Sequence, residues 1–177
     1  MKNLLVLAAL FPILFIAHIQ SPFVHFPAET PGSITFIGNA GSDQEFTVER
    51  WKFSKVENAG QPEKIRVEAE MDMTSIRCDW ADLLKGVKDK KDYFYVKKYK
   101  TASVTINGAK ANADGSYSTD AELTLRGKTK TVPLTFSISK EAPFHIEAQG
   151  IVMRRKFGFT GGGPRDEVPV KVSADLP

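Results

Sequence analysis

The sequence predicts an all-β fold made of antiparallel strands. In residues 64–73, as in several later segments, apolar side chains alternate with charged ones, which places the apolar set on one face of a strand. This alternation is typical of antiparallel sheets with one wet face, because parallel strands buried on both sides have continuous apolar runs. Short glycine-containing turns at Asn107-Gly108, Asp114-Gly115 and Arg126-Gly127 predict hairpins. Segments that are neighbours in sequence should therefore pair in space.

Eight segments carry the alternation. They span residues 33–38, 45–54, 64–73, 101–109, 117–126, 131–139, 144–153 and 167–176. Eight antiparallel strands with one apolar face hide that face in a sandwich or in a closed barrel. A barrel of eight strands has an interior just wide enough to be filled by side chains or to hold one small ligand. The alternation alone does not choose between a filled core and a cavity.

One helix interrupts the strands. Apolar residues recur at helical spacing between Asp79 and Asp92. These residues are Trp80, Leu83, Leu84 and Val87. The spacing predicts a single helix of about three turns, with Asp79 as its N-cap.

Some strand residues predict irregular pairing. Pro133 and Pro169 lie inside predicted strands, and each lacks the backbone donor that a sheet ladder uses. An edge, a strand start or a bulge is therefore expected near both. Gly150 predicts a bend, and the alternation slips between Val48 and Trp51, which predicts a bulge.

The N-terminal residues have the composition of a secretion signal. Lys2 precedes an apolar run from Leu4 to Ile19 that Pro12 interrupts. A membrane-spanning helix needs ~20 apolar residues, so the run favours a cleaved leader, and an uncleaved anchor is the alternative. The expected organisation is a signal peptide at 1–21, an N-terminal extension at 22–32 and one β domain at 33–177, since 177 residues suit one domain.

Charge and cysteine content restrict the class of protein. The formal net charge is +3 with 25% charged residues, whereas a nucleic-acid-binding protein carries a clustered basic footprint. No nucleic-acid partner is expected. Cys78 is the single cysteine, so no internal disulfide can form. Export without disulfides indicates a bacterial envelope protein in the periplasm. Cys78 is expected to be a small buried apolar residue, with a reactive or intermolecular thiol as the alternative.

No catalytic or metal-binding pattern is evident. Outside the leader, His25 and His145 stand in neither a metal-ligand nor a catalytic-triad spacing. Alternation predicts that His145 faces away from the apolar strip. The glycine-rich stretch 159–166 lacks the lysine of a phosphate-binding loop and is expected to be a flexible loop at the barrel rim. We therefore expect neither enzymatic activity nor a metal or cofactor.

Residues 85–100 contain seven lysines interleaved with aromatic residues. Such a segment can contact an anionic membrane, where each basic residue contributes ~1 kcal/mol. The alternative is a solvated helix end, which Asp89 and Asp92 favour because they dilute the charge.

Four stretches resemble the YceI-like family of envelope proteins. They are "SITF" at 33–36, "DYFYVKKYKTASVTI" at 92–106, "YSTDAELTLRGKTKTVPLTF" at 117–136 and "RRKFGFTGGGPRDEVPVKVSADL" at 154–176. The third is the most specific, since a strand ending in Leu125-Arg126-Gly127 precedes a Thr-Lys and a Val-Pro-Leu strand. The resemblance implies an eight-stranded antiparallel lipocalin-like barrel with one short helix between early strands. It also implies an apolar lumen that accepts an isoprenoid or a similar amphiphilic chain.

The chain departs from the family pattern at positions that bear on a polar head group. Tyr95 replaces a usual aspartate, Lys100 a usual proline and Arg126 a usual histidine, and Asn39 lies near the place of a further histidine. We therefore transfer the apolar lumen from the family and not a specific ligand.

The apolar strip positions give the predicted lumen. These ligand-binding candidates are Phe36, Phe46, Val48, Ile65, Val67, Met71, Val104, Ile106, Leu123, Leu125, Leu134, Phe136, Phe144, Ile146, Val168, Val170 and Val172. Burial of about ten carbons at ~0.8 kcal/mol each gives roughly 8 kcal/mol before association costs, which is close to what micromolar binding needs. The expected function is a carrier or store of a hydrophobic or amphiphilic lipid in the envelope. The alternative is a non-catalytic structural or interaction module with a filled core, and an enzyme that uses the lumen as a substrate pocket is a distant third.

Overall fold

Eleven strands form one antiparallel sheet in the computed structural model, which describes residues 31–39, 43–163 and 165–177. The strands are β1 (Gly32–Asn39), β2 (Gln44–Val48), β3 (Trp51–Glu57), β4 (Arg66–Asp72), β5 (Ile76–Arg77), β6 (Thr101–Asn107), β7 (Lys110–Ala111), β8 (Tyr117–Leu125), β9 (Lys128–Ile138), β10 (His145–Met153) and β11 (Glu167–Asp175). The helix is α1 (Ala81–Asp89), and 3₁₀ turns lie at Pro62–Lys64, Met73–Ser75 and Arg154–Phe157. The predicted leader and most of the predicted extension lie outside the described residues.

The sheet curls into a barrel whose two ends are joined by short kinked stretches of chain. Its order is β3-β4-β6-β8-β9-β10-β11-β1-β2-β5, with β7 beside β8. The chain runs directly from β2 into β3, while β2 pairs with β1 and β3 pairs with β4. The end strands are β3 and β5, and the Met73–Ser75 turn likewise leads from β4 into β5, so two short stretches of chain join the ends of the sheet. The predicted antiparallel barrel is confirmed.

The strands outnumber the eight predicted segments because of local breaks. Glu49 and Arg50 separate β2 from β3, and the Met73–Ser75 turn separates β4 from β5. At this kink the Arg50 amide donates to Ser75 Oγ at 2.9 Å, and the Arg50 guanidinium donates to Asp72 Oδ2 at 2.6 Å. These side-chain contacts replace ladder bonds at the slip in alternation between Val48 and Trp51. The eleven strands correspond to the eight predicted segments when β2 is counted with β3, β4 with β5, and β6 with β7.

Burial and hydrogen bonding act in opposite directions on Asp72. Burial of its carboxyl acts to raise the pKa, but hydrogen bonds from Thr74 and Arg50 outweigh burial and hold the pKa of Asp72 below its usual value.

The helix is shorter than predicted and begins later. α1 starts at Ala81, so the N-cap position falls on Trp80, which makes no side-chain capping bond. The prediction of Asp79 as the N-cap is wrong. Val87 is buried, and Lys88 Nζ donates to the carbonyl of Thr74 at 2.6 Å, which fixes the helix near one end of the barrel.

Both strand prolines mark the end of a ladder. The β9–β10 ladder runs only from Leu134 to Ile138 on β9 and stops one residue short of Pro133. The β1–β11 ladder stops at Val170, one residue short of Pro169. The prediction of irregular pairing near both prolines is confirmed, since neither residue can donate to a ladder. Beyond Gly150 on β10, the β10–β11 hairpin therefore continues to Met153 and Glu167 after the ladders with β9 and β1 have ended.

Candidate functional site: an apolar cavity under a tethered loop

A largely apolar cavity lies inside the barrel. Its volume is about 140 Å³, or about 950 Å³ with the space along its walls and at its open mouth. Dry apolar cavities of about 150 Å³ bind small hydrocarbons in protein interiors. The cavity can therefore take a small apolar group, and it does not need to be created by unfolding of the core.

The structure places part of the predicted lumen on the cavity wall. These residues are Phe36, Phe46, Val48, Met71, Leu123, Leu125, Val168 and Val170. They come from β1, β2, β4, β8 and β11, so segments far apart in sequence enclose one space. Stacked rings of Phe36 and Phe46, 5.0 Å apart, form one side of it.

The other predicted lumen residues lie away from the cavity. Ile65, Val67, Ile106, Phe136 and Ile146 are buried in the packed core, and Val104, Leu134, Phe144 and Val172 are partly buried against that core. Their expected place in an open lumen is corrected to a place in the packed part of the barrel. Alternation fixes the face of a strand but not the depth along the barrel axis, and here large rings fill the inside, such as Tyr117 stacked 5.5 Å from Phe136. One part of the barrel is solid, and another part holds the cavity.

Loop and helix residues missed by the alternation complete the wall. Val87, Tyr93 and Phe94 come from the region of α1, and Phe159 comes from the loop between β10 and β11. The ring of Phe94 meets Phe159 edge-on at 5.0 Å. The interleaved aromatics of residues 92–99 were the available sequence signal, but a loop has no periodicity that assigns a direction to a side chain.

A buried arginine organises the loop over the mouth. Arg154 is 8% exposed and lines the cavity. Its guanidinium donates to the carbonyls of Arg165 at 2.9 Å, Gly161 at 2.8 Å and Gly163 at 3.2 Å. A buried charge needs this satisfaction, so the loop wraps around the arginine.

The same loop is tethered to the segment after α1. The amides of Thr160 and Gly161 each donate to the carbonyl of Asp92 at 3.0 Å, and Thr160 Oγ1 donates to Asp92 Oδ1 at 2.6 Å. The guanidinium of Arg126 donates to the carbonyl of Lys91 at 2.7 Å and to the carbonyl of Gly158. The glycine-rich stretch predicted to be a rim loop is therefore held across the mouth from two sides.

His145 lies outside the barrel, as alternation predicted. Its Nδ1 is 2.6 Å from Asp175 Oδ1, and its Nε2 is 2.8 Å from Glu147 Oε1 and 3.2 Å from Ser173 Oγ. The hydrogen bond with Asp175, followed by the one with Glu147, raises the pKa of His145. The serine, the histidine and the aspartate therefore lie together on an exposed strand surface outside the barrel.

The remaining candidate features are at the surface. The lysines of residues 85–100 are exposed except Lys88, which bonds to Thr74. Cys78 is partly buried against the core, and its thiol donates to the carbonyl of Trp80 at 3.4 Å.

Within the described residues, no group of three or more histidine, cysteine, aspartate and glutamate side chains is placed to hold a metal. A search of the same residues finds no helix with the length and apolarity needed to span a bilayer.

Comparisons with known proteins agree with this architecture. The chain is similar to the crystal structure of Burkholderia cenocepacia BcnA, with a TM-score of 0.69 at 19% identity over 82% of this chain and 96% of that one. It is also similar to a polyisoprenoid binding domain from Saccharophagus degradans implicated in plant cell wall breakdown, with a TM-score of 0.63 at 12% identity over 86% and 98% of the two chains. A Campylobacter jejuni YceI protein gives a TM-score of 0.63 at 16% identity over 75% and 84%.

At these identities, structural similarity shows the fold. Membership of a family depends on the match of the sequence. No curated protein matches the sequence. Residues 26–176 match the YceI-like domain, which covers most of the chain. The chain therefore belongs to the YceI-like family.

Proposed function

We propose that the protein binds an isoprenoid or a similar amphiphilic lipid, with the apolar chain in the barrel cavity, as a carrier or store in the bacterial periplasm. The observation that carries this proposal is a cavity walled by apolar side chains inside a barrel whose remaining interior is packed. A Saccharophagus degradans neighbour described as a polyisoprenoid binding domain supports the class of ligand. The leader-like N-terminus supports the compartment.

The wall chemistry favours an alkyl or prenyl chain over a polar ligand. Apart from Tyr93, Arg154 and Arg165, the side chains that line the cavity are apolar. Transfer of each methylene from water contributes ~0.8 kcal/mol, so a chain is bound in proportion to the length that enters the cavity. The alternative, a structural module with a filled core, is supported by the solid packing around Ile65 and Phe136.

The wall also favours binding over turnover. Among the described residues, the lining side chains include no histidine, cysteine, serine, threonine or carboxylate. These groups are the ones that most often act in nucleophilic and general acid–base catalysis. The hydroxyl of the lining Tyr93 donates to the carbonyl of Gly162 and holds the loop. We therefore propose a non-catalytic role for the cavity.

The basic segment suggests how a lipid reaches the mouth. Tyr93 and Phe94 line the cavity, while the neighbouring Lys90, Lys91 and Lys97 are exposed. Trp80, at the start of α1, is 50% exposed, and an exposed tryptophan beside lysines is typical of a membrane-interface contact. We propose that this face contacts an anionic membrane surface and brings the mouth close to the lipid.

The proposal is tested on protein purified from the envelope fraction. Native mass spectrometry should detect a bound species that organic solvent extracts and that elutes with apolar lipids. The variant Ala102→Leu fills part of the cavity wall and should lose that species, whereas Ala109→Leu, at a residue away from the cavity, should retain it. Apo protein from the envelope that also fails to bind added prenyl or alkyl amphiphiles would favour the structural module.

A further inference from the structure

The charged side chains that line the cavity are positive. Among the described residues that line it, Arg154 and Arg165 are the charged side chains, and no carboxylate is among them. The deeper wall is apolar, so the two guanidinium groups mark a polar end of an otherwise apolar space. An amphiphile has the same division between a chain and a head.

Two lysines extend the positive charge along the sheet. Lys128 pairs with Leu125 and Lys130 pairs with Leu123 across the β8–β9 ladder. Residues directly opposite each other in an antiparallel pair share a face, so both lysines lie on the inner face beside the cavity-lining leucines. Both are exposed, which places them where the inner face opens to solvent. Lys128 Nζ also lies 2.8 Å from the position a Gly158 β-carbon would take, next to the mouth loop.

The nearby acids leave part of this charge available. Asp166 contacts Arg154 Nη2 at 3.3 Å and is shared with Arg155 Nε at 2.7 Å. Asp43 Oδ1 is 3.7 Å from Arg165 Nη1, and both side chains are more than half exposed, so this pair contributes little. An incoming anion can replace Asp43 at Arg165 without breaking a buried interaction.

The geometry points to a subsite at the mouth, formed by Arg165 over the base that Arg154 provides, for an anionic head group of the bound amphiphile. This inference rests on the proposed function, since the head is placed by the chain in the cavity. The shared chemistry is a carboxylate or a phosphate, because guanidinium and ammonium donors make charge-assisted hydrogen bonds to both. Arg154 itself is committed to the loop carbonyls, so Arg165 is the group expected to contact the head.

The test compares ligands that share a chain and differ in the head. Dissociation constants of the delipidated full chain are measured for dodecyl phosphate, dodecanoate and dodecanol. Both anions should bind about tenfold more tightly than the alcohol at low salt, and the difference should shrink at about 1 M salt, where the Debye length is about 3 Å. Inorganic phosphate alone should bind much more weakly than dodecyl phosphate, because the chain supplies most of the affinity.

Each outcome separates the two proposals. Equal affinity for the alcohol and the anions would overturn the head-group subsite and leave the lipid cavity standing. No binding of any of the three would count against the cavity itself. Inorganic phosphate that binds as tightly as dodecyl phosphate would overturn a lipid head group in favour of a free-anion site.

Variants locate the subsite. Arg165→Gln should weaken dodecyl phosphate about fivefold, as expected of an exposed charge pair, and leave dodecanol unchanged. Lys171→Gln removes the same charge from an exposed residue on β11, away from the cavity lining, and should leave all three affinities unchanged. An equal loss for phosphate and alcohol in Arg165→Gln would overturn head-group recognition, since it would report a change in the loop.

Discussion

Gly161 lies so close to Tyr93 that a β-carbon on Gly161 would be 2.5 Å from the Tyr93 ring. The Tyr93 hydroxyl donates to the next carbonyl of the loop, that of Gly162, at 2.8 Å. The ring that lines the cavity therefore also holds the loop across the mouth. Ligand exchange and loop stability are coupled through this residue.

Removal of the Tyr93 tether should loosen the loop. Tyr93→Phe keeps the ring and loses one hydrogen bond, worth about 1 kcal/mol. Amide hydrogen exchange should become faster in residues 158–163, and release of a bound alkyl chain should become faster. Tyr95→Phe is the control, because Tyr95 does not line the cavity. Unchanged exchange in the loop would show that the contacts with Asp92, Arg126 and Arg154 hold it without Tyr93.

Replacement of Arg154 should cost far more than replacement of Arg155. Arg154→Met leaves three loop carbonyls without their donor, which we expect to lower the free energy of unfolding by about 3 kcal/mol. Arg155 is about half exposed and pairs with Asp166, and its bonds to the carbonyls of Phe159 and Thr160 are long, at 3.5 and 3.3 Å. Arg155→Met should therefore cost about 1 kcal/mol. Urea unfolding of both variants measures the difference. Similar losses would contradict the role of Arg154 as the centre of the loop.

Core truncation should distinguish the packed part of the barrel from the cavity wall. Ile65 is fully buried in the packed part, so Ile65→Ala should cost about 3–4 kcal/mol. Leu123 is partly buried and faces the cavity, where less packing is lost, so Leu123→Ala should cost about 1–2 kcal/mol. Unfolding in denaturant gives both values. If Leu123→Ala lowers the free energy of unfolding as much as Ile65→Ala does, the interior around Leu123 is solid.

Stability should fall through His145 as the pH rises above 6.5. Its hydrogen bonds with Asp175 and Glu147 raise its pKa above the unfolded value of 6.5. A raised pKa means that the folded state holds the proton more tightly, so this contribution is complete below pH 6.5 and is lost as the pH rises through the folded value. His145→Gln should flatten the dependence of the melting temperature on pH above 6.5. If the melting temperature of His145→Gln depends on pH as steeply as that of the parent protein, His145 is not the group responsible.

Glu147 should act at the acid end. Hydrogen bonds from Ser173, followed by His145, lower the pKa of Glu147 below 4.5. Its contribution is therefore complete above that value and is lost as the pH falls through the lowered folded value. Glu147→Gln should remove part of the acid-side slope of the same melting curves, and a slope equal to that of the parent protein would contradict the assignment.

Membrane contact should depend on the lysines near the mouth. Combined replacement of Lys90, Lys91, Lys97 and Lys98 by glutamine should release the protein from vesicles that contain phosphatidylglycerol, since each lysine contributes ~1 kcal/mol near such a surface. Binding of the parent protein should also weaken with salt. Co-sedimentation that ignores both the replacement and salt would leave the lysines as a solvated surface.

Some of this structure was accessible from the sequence because it follows from local chemistry. Period-two alternation assigns Ile65 and Leu123 to the inside of the sheet, and the missing amides of Pro133 and Pro169 predict where ladders end. Alternation says nothing about depth, which is why Ile65 lies in the packed core while Leu123 faces the cavity.

The mouth was not accessible in the same way. Tyr93 and Gly162 meet although they are 69 residues apart, and no local pattern encodes that contact. The N-cap at Asp79 failed for a related reason, since the start of a helix within one or two residues depends on how the helix packs. Arg154 was read only as part of a family motif, and its burial became visible only with the loop around it.

The most direct test of the lipid cavity is the position of a chain inside it. A crystal of the protein with 12-bromododecanoate, measured at the bromine edge, should give an anomalous peak in the cavity between Phe36, Leu123 and Val152, with the carboxylate at the mouth near Arg165. A peak on the outer surface of the barrel, in a crystal whose cavity is filled by its own side chains, would contradict the account.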